Sequence, residues 1–247
     1  MNFFIFGDVH GESDKLARIL DQARSQTDGP VEIWSLGDLI DRGPDSKGVL
    51  DLCLENRVNL VIGNHELWMH ELLTRGSVKS GFVTSKVMGG SSTITSYGCD
   101  PRNFKPSELL EKIPDSHKEF LKSGVLLNGL SHGGINYWLS HGGIDSVSGG
   151  MLGPEIPGHL TGDGFSEALY SLIFEVSPQS ILWGGARKGN VYGLPEGNVQ
   201  VFGHTPWGKA EISERYVALD TGCGTCAPHK LSGMILRSDG SRALVSV

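Results

Sequence analysis

Phe3-Phe4-Ile5-Phe6-Gly7-Asp8-Val9-His10-Gly11 opens the chain, and its pattern decides how the rest is read. Four apolar residues closed by a glycine have the length and composition of a buried strand. An aspartate and a histidine then stand where that strand must end. The arrangement recurs: residues 31–36 run to Gly37-Asp38, Leu60-Val61-Ile62 to Gly63-Asn64-His65, and Val199-Gln200-Val201-Phe202 to Gly203-His204. Side chains that can ligate a cation or move a proton thus sit at strand ends, where a rigid scaffold aims them from loops.

Helical patterns fill the spaces between the early strands. Across residues 13–26, Leu16, Ile19, Leu20 and Ala23 recur at helical spacing, with Ser13 as the expected N-cap. Across 46–55, Val49, Leu50, Leu52 and Cys53 form another apolar face, and a further helical stretch runs from Lys105 to about Leu121. Such alternation predicts an α/β architecture. After Val199 the pattern changes to short strands at 216–219, 234–237 and 243–247, which predict a second sheet and hence a helix-flanked β-sandwich. The expected organisation is a single domain, 1–247, with two inserted loops: Gly/Ser/Thr-rich 76–104 and Gly/Pro-rich 145–164.

Composition narrows the function classes. The chain has 247 residues, 38% of them hydrophobic, which is enough to build a core. Its net charge of −7, without a long basic run, argues against nucleic acid as a partner. No stretch approaches the ~20 apolar residues of a membrane span, and no leader pattern opens the chain. The expectation is a soluble cytoplasmic protein that does not engage membranes. Four cysteines are too few for a disulfide scaffold.

Asp8, His10, Asp38, Asn64, His65, a His-Gly-Gly and His204 make a mixed carboxylate, imidazole and amide donor set. Such a set suits Mn, Fe or Zn better than a calcium cage. It could hold two ions ~3.5–4 Å apart and lower the pKa of a shared water towards ~7. The His-Gly-Gly is ambiguous, because Ser-His-Gly-Gly-Ile occurs at 131–135 and again at 140–144. His141 follows the strand-like run of residues 135–139 and is the expected ligand. His132, after Gly129-Leu130, reads as a turn or hairpin.

Gly7-Asp8-Val9-His10-Gly11, Gly37-Asp38-Leu39-Ile40-Asp41-Arg42-Gly43, Gly63-Asn64-His65-Glu66, His141-Gly142-Gly143 and Gly203-His204-Thr205 together resemble the signature blocks of the phosphoprotein phosphatase family of metallophosphoesterases. That family includes serine/threonine phosphatases, their bacterial and phage relatives, and symmetrical diadenosine tetraphosphate hydrolases. The matching blocks run from residue 5 to about 222. The resemblance implies a four-layer α/β/β/α metallophosphoesterase sandwich. It further implies that Asp8 and His10 bind one metal, that Asp38 bridges, and that Asn64, His141 and His204 hold the second. His65 would protonate the leaving oxygen, Asp41 would orient His65, and Arg42 would hold the phosphate through its fork of donors. Arg187, in Trp183-Gly184-Gly185-Ala186-Arg187, is the best match to the family's second phosphate-binding arginine, at a spacing that departs from the usual one. The rival reading is a solvated surface arginine.

By this resemblance the cofactors are two divalent ions, with Mn²⁺ first and Fe/Zn fitting the same ligands. The substrate is a phosphorylated protein or a small phosphoester, with phosphoserine or phosphothreonine first and phosphotyrosine or small monoesters also within reach. The alternative in the same family is a symmetrical dinucleotide polyphosphate hydrolase. Those enzymes tend to depart from Asp-Arg-Gly in the second block, which this chain keeps as Asp41-Arg42-Gly43. A non-catalytic metal-binding module, the reading from another class, should have lost ligands, and none is lost. Cys223-Gly224-Thr225-Cys226, with His229, has the spacing of half a zinc site but no second pair, so a structural role is expected. Most of the scattered Trp and Tyr residues are expected in the core or at its rim, with Trp68 and Trp207, adjacent to the motifs, as candidates to border the site. Residues 145–164 are expected to help select the substrate.

Overall fold

The computed structural model describes residues 1–78, 81, 83, 85–146, 182–194 and 196–247. Strand β1 (Asn2–Phe6) is buried along its whole length, and its two faces serve two cores. Phe4 and Phe6 point into a core shared with the helices, and Phe3 and Ile5 into one shared with a second sheet. This is why the run is continuously apolar rather than alternating. β1 pairs in parallel with β2 (Val31–Ser35), which pairs in parallel with the short β3 (Asn59–Leu60).

Helices α1 (Ser13–Ser25) and α2 (Ser46–Glu55) lie over this sheet and contribute Leu16, Ile19, Leu20, Val49, Leu50 and Cys53 to the helix-side core. Ser13 is not the N-cap of α1; Glu12 precedes the helix, and the Ser13 hydroxyl donates to Asp45 Oδ2 at 2.8 Å. Asp45 in turn caps α2 by accepting from the Gly48 N–H, so one carboxylate ties the two helix starts together. Helix α3 (Glu66–Arg75) follows the His65 loop.

Three sequence expectations change. The predicted insertion 76–104 contains helix α4 (Gly90–Ser96), and Val83, Thr93, Ile94, Tyr97 and Cys99 are buried. Gly-Ser-Ser-Thr-Ile-Thr-Ser is a poor helix former, so packing rather than propensity carries this element. The stretch from 105 to 121 divides into α5 (Pro106–Lys112) and α6 (Asp115–Lys122). Ile113, forced extended by Pro114, breaks the helix with ψ at 121°.

The C-terminal strands also do not form one separate sheet. β4 (Leu127–His132), β5 (Ile135–Ser140), β6 (Asn198–Phe202), β7 (Glu211–Ile212) and β8 (Tyr216–Ala218) make the second sheet, in the order β4-β5-β6-β8-β7. After β9 (Asp220–Thr221), β10 (Lys230–Leu236) returns antiparallel to β1 and carries β11 (Arg242–Ser246) at its far edge. β10 is buried at six of its seven positions, so it needs cover on both faces and takes a place inside the first sheet.

The sandwich core forms between the sheets, with Trp34, Leu36, Met234 and Leu236 meeting Tyr137, Leu139, Val201 and Val217. The described residues thus give a mixed α/β fold with two sheets and six helices, the helices packed on the first sheet. Phe202 and Ala218, on the other face of the second sheet, pack against Ala186 and Trp207. The second predicted insertion, 145–164, lies outside the described residues beyond Ser146. No helix among the described residues is long and apolar enough to cross a membrane.

Candidate active site

The loops after β1, β2, β3, β5 and β6 converge at one end of the sandwich, and their backbone is bent hard to do so. His10, Asp38, Asp41, Arg42 and His204 all have positive φ, between 47° and 72°. For residues with a Cβ this left-handed conformation costs about 1–3 kcal/mol each, and it persists where the surroundings over-determine it. Glycine makes the closest approach possible: a Cβ on Gly37 would lie 2.3 Å from the Gly63 nitrogen, and one on Gly63 2.3 Å from Asp38 Oδ1. The Asp38 and Asn64-His65 loops therefore touch backbone to backbone.

Asp38 lies at the centre. Its Oδ2 is 3.6 Å from His10 Nε2 and 3.9 Å from His65 Nε2, and its Oδ1 is 3.3 Å from His141 Nε2. The donor atoms of His10, Asp38 and His65 lie within 4.8 Å of one another, and so do those of Asp38, His141 and His204. Asn64 Oδ1 adds an acceptor 2.9 Å from His141 Nε2. His10 Nδ1 donates to the Ile40 carbonyl at 3.0 Å and His141 Nδ1 to the Leu36 carbonyl at 2.8 Å. Because a carbonyl only accepts, each ring carries its hydrogen on Nδ1 and turns Nε2 to the centre, as metal-ligating histidines do.

The donor set fits two cations sharing one carboxylate. Asp8, Asp38, Glu66 and Asp220 are four buried acids around the same histidines, a concentration of like charge that bound cations would offset. Burial, reinforced by Asp220 and Asp38, pushes the Asp8 carboxyl well up, and burial raises Asp220 to about 6. Asp38 is held well below the usual range because the His141 and His65 rings outweigh its burial.

The predicted residues do not all take equivalent places. Asp8 accepts the His204 backbone N–H at 3.0 Å, and the first three-donor group contains His65 rather than Asp8. His65 Nδ1 donates to Asp41 Oδ2 at 2.8 Å, which leaves Nε2 on the Asp38 side. Arg42 reaches inward until Nη1 meets His10 Nε2. Arg187 is exposed in a cleft with Lys188, Thr205, Trp207 and Lys209, and among the described residues no hydrogen bond joins its guanidinium to the cluster. His132 lies outside the cluster, bonded to the Arg237 carbonyl and edge-on to Phe3. Trp68 touches the site through Asp41, whereas the Trp207 ring packs on Phe202 and Tyr216. Trp183 sets its ring edge-on to His204, with centroids 5.8 Å apart. Cys223 is buried and Cys226 exposed, and among the described residues neither joins a three-ligand group.

Two supporting residues were given no role from sequence. Glu66 accepts the Asp38 and Gly63 N–H groups on Oε2, at 2.9 and 2.8 Å, and the Leu39 N–H on Oε1 at 2.8 Å. One buried carboxylate thereby joins the Asp38 loop to the Asn64-His65 loop. Its place directly after Gly63-Asn64-His65 was the available signal. Thr93, from the supposed insertion, donates to Asp41 Oδ1 at 2.6 Å and accepts the Asp41 N–H at 2.9 Å. Trp68 Nε1 donates to Asp41 Oδ2 at 2.9 Å, so the carboxylate that orients His65 is itself fixed from three sides. Nothing in the Gly/Ser/Thr-rich composition around Thr93 announces that role.

A segment of the symmetrical bis(5'-nucleosyl)-tetraphosphatase of Erwinia tasmaniensis is 44% identical over 71 residues, which is 27% of this chain and 25% of that relative. The match thus spans about a quarter of the relative's length. A solved putative diadenosine tetraphosphatase superposes with a TM-score of 0.55 at 19% identity, covering 99% of this chain and 93% of the other. A protein serine/threonine phosphatase from Saccharomyces cerevisiae superposes with a TM-score of 0.52 at 13% identity, covering 100% and 79%. At such identities the superpositions speak for the fold alone. Residues 1–208 match the calcineurin-like phosphoesterase family, and on that match the chain belongs to it.

Proposed function

We propose that this phosphoesterase is a metal-dependent phosphoprotein phosphatase acting on phosphoserine and phosphothreonine. The observation that carries the reading is the buried Asp41–His65 pair, 2.8 Å apart, with His65 Nε2 on the Asp38 side of the ring. An alkoxide leaving group needs a proton as the P–O bond breaks, and His65 is oriented to supply it. A dinucleotide polyphosphate releases a phosphate instead, whose ionisation near ~6 makes a general acid dispensable.

Asp8, His10, Asp38, Asn64, His141 and His204 would hold two divalent ions, for which we propose Mn²⁺. When bound, the ions supply Lewis acidity and a water nucleophile at neutral pH. Arg42 binds two phosphoryl oxygens through its planar fork, and Asp41 keeps the His65 ring aimed. Water adds to phosphorus, the ester P–O bond breaks, and the His65 proton passes to the departing serine or threonine oxygen. Arg187 is proposed as a second phosphate contact.

A second reading, a symmetrical dinucleotide polyphosphate hydrolase, is favoured by the 44% identity over 71 residues with enzymes of that name. The two readings separate in one experiment. Phosphoserine peptides and diadenosine tetraphosphate are assayed with and without Mn²⁺, for wild type and His65→Asn. Mn²⁺-dependent peptide turnover that falls about 10²–10⁴-fold in the variant supports the phosphatase. A preference for the dinucleotide, with turnover barely dependent on His65, transfers the function to the second reading. Metal-free protein without turnover of either would revive a non-catalytic module.

A further inference from the structure

A cavity of about 570 Å³ lies beside the metal cluster, lined among others by Arg42, Lys86, Ser91, Ser92, Gly224 and Thr225. It shares a wall with the reacting site at two points. The Arg42 guanidinium meets His10 Nε2 and donates from Nε to the Val87 carbonyl at 3.3 Å. On the opposite wall, a Cβ at Gly224 would sit 2.6 Å from the His10 Cβ. The loop carrying Lys86 is pressed onto Arg42: the Arg42 N–H donates to the Gly89 carbonyl at 3.2 Å, and a Cβ on Gly89 would lie 2.6 Å from that nitrogen. Lys86, three residues before Gly89, lines the same cavity as Arg42, the group proposed to hold the reacting phosphate.

The charge of the cavity runs against that of the protein. The chain carries −7, yet the described lining contains two cations and no carboxylate. Lys86 is exposed, and among the described residues it forms no salt bridge. The Ser91 hydroxyl adds a neutral donor. A space of this volume, roughly 8 Å across, takes one or two extended residues beyond the phosphorylated one.

Resting on the phosphoprotein reading above, we infer that this cavity is a subsite for a second anionic group of the substrate. The group is a carboxylate or a further phosphate within about two residues of the reacting phosphate, and Lys86 is its cationic partner. The enzyme thereby selects acidic phosphosites over neutral ones.

The test uses the Mn²⁺-loaded full chain and two phosphoserine peptides, one flanked by two glutamates and one by two glycines. Wild type should show a several-fold higher kcat/KM for the acidic peptide, an advantage that shrinks as salt screens it. Lys86→Met should bring the ratio of the two kcat/KM values close to one, and Lys86→Glu should invert it. The change should reside in KM, by about 3- to 10-fold for the acidic peptide. Metal content and the thermal unfolding midpoint are measured alongside to exclude loss of fold. A wild-type ratio near one, or a ratio unchanged in Lys86→Met, overturns the subsite. If neither peptide is hydrolysed, the phosphoprotein reading fails, but calorimetric dissociation constants of the same pair still decide the subsite. Equal constants sink it; an acidic preference that disappears in Lys86→Met sustains it.

Discussion

His10 and His141 approach the same carboxylate from opposite sides, with Nε2 atoms 3.6 and 3.3 Å from Asp38, and the fold drives them to opposite protonation. Burial pushes His10 down to about 3; the neighbouring His65 ring and Arg42 add to this against the pull of Asp38. Burial works in the same direction on His141, but Asp38, Asp8 and Glu66 overcome it and raise the ring to about 10. His204, beside His141, is lowered to about 4, chiefly by burial and then by the His141 charge. Two ligand groups of like composition thus differ in readiness for a metal. The His10 ring is already neutral, whereas the His141 ring must first lose a proton. The difference arises from which charges surround each ring, since both are fully buried.

The strongest way to break this comparison is to remove what the halves share. Asp38→Asn should lose both ions by elemental analysis, with activity falling by roughly 10³-fold. His141→Ala should lose one ion and His132→Ala none. Loss of metal in His132→Ala alone would overturn the assignment of the repeated Ser-His-Gly-Gly-Ile.

A subtler effect should appear in the proton balance. The His141 pKa lies above its unfolded value of ~6.5, so its contribution to the metal-free fold is present below ~6.5 and fades as pH rises through about 10. Metal binding replaces that proton. Loading at neutral pH should therefore release at least one proton, measured by calorimetry in buffers of different ionisation enthalpy. The gain in Tm on adding metal should widen between pH 6.5 and 9. Release of no proton would mean that His141 is already neutral before the metal binds.

The smallest effect concerns the His10–His65 side alone. Thr93→Val leaves Asp41 Oδ1 short of its 2.6 Å donor, a loss of about 1–3 kcal/mol. Turnover of a phosphoserine peptide should fall about tenfold and that of an aryl phosphate less, because a phenolate depends less on the acid. Thr93→Ser should restore both. Equal losses on the two esters would assign Thr93 to stability only.

These effects grade by how visible their residues are in the chain. Asp8, His10, Asp38, Asn64, His65 and His204 stand at the ends of apolar runs, and local chemistry dictates those ends: a buried strand, a glycine turn, a polar side chain. The helix faces of α1 and α2 were legible for the same reason, being periodic over a few turns. The choice of β10 as a partner of β1 was not, because an all-buried strand suits either sheet until the faces are assembled. Nor was Thr93, whose segment has neither periodicity nor propensity and is shaped by the core it fills. The sequence alone thus determined which titratable and amide side chains stand at the strand ends and that an α/β sandwich presents them. Only the tertiary structure decided which histidine of the repeat reaches Asp38, that Glu66 joins the ligand loops, and why His10 and His141 hold their protons so differently. Those properties depend on charges and contacts between residues far apart in the chain, and distance in space is what a linear pattern does not encode.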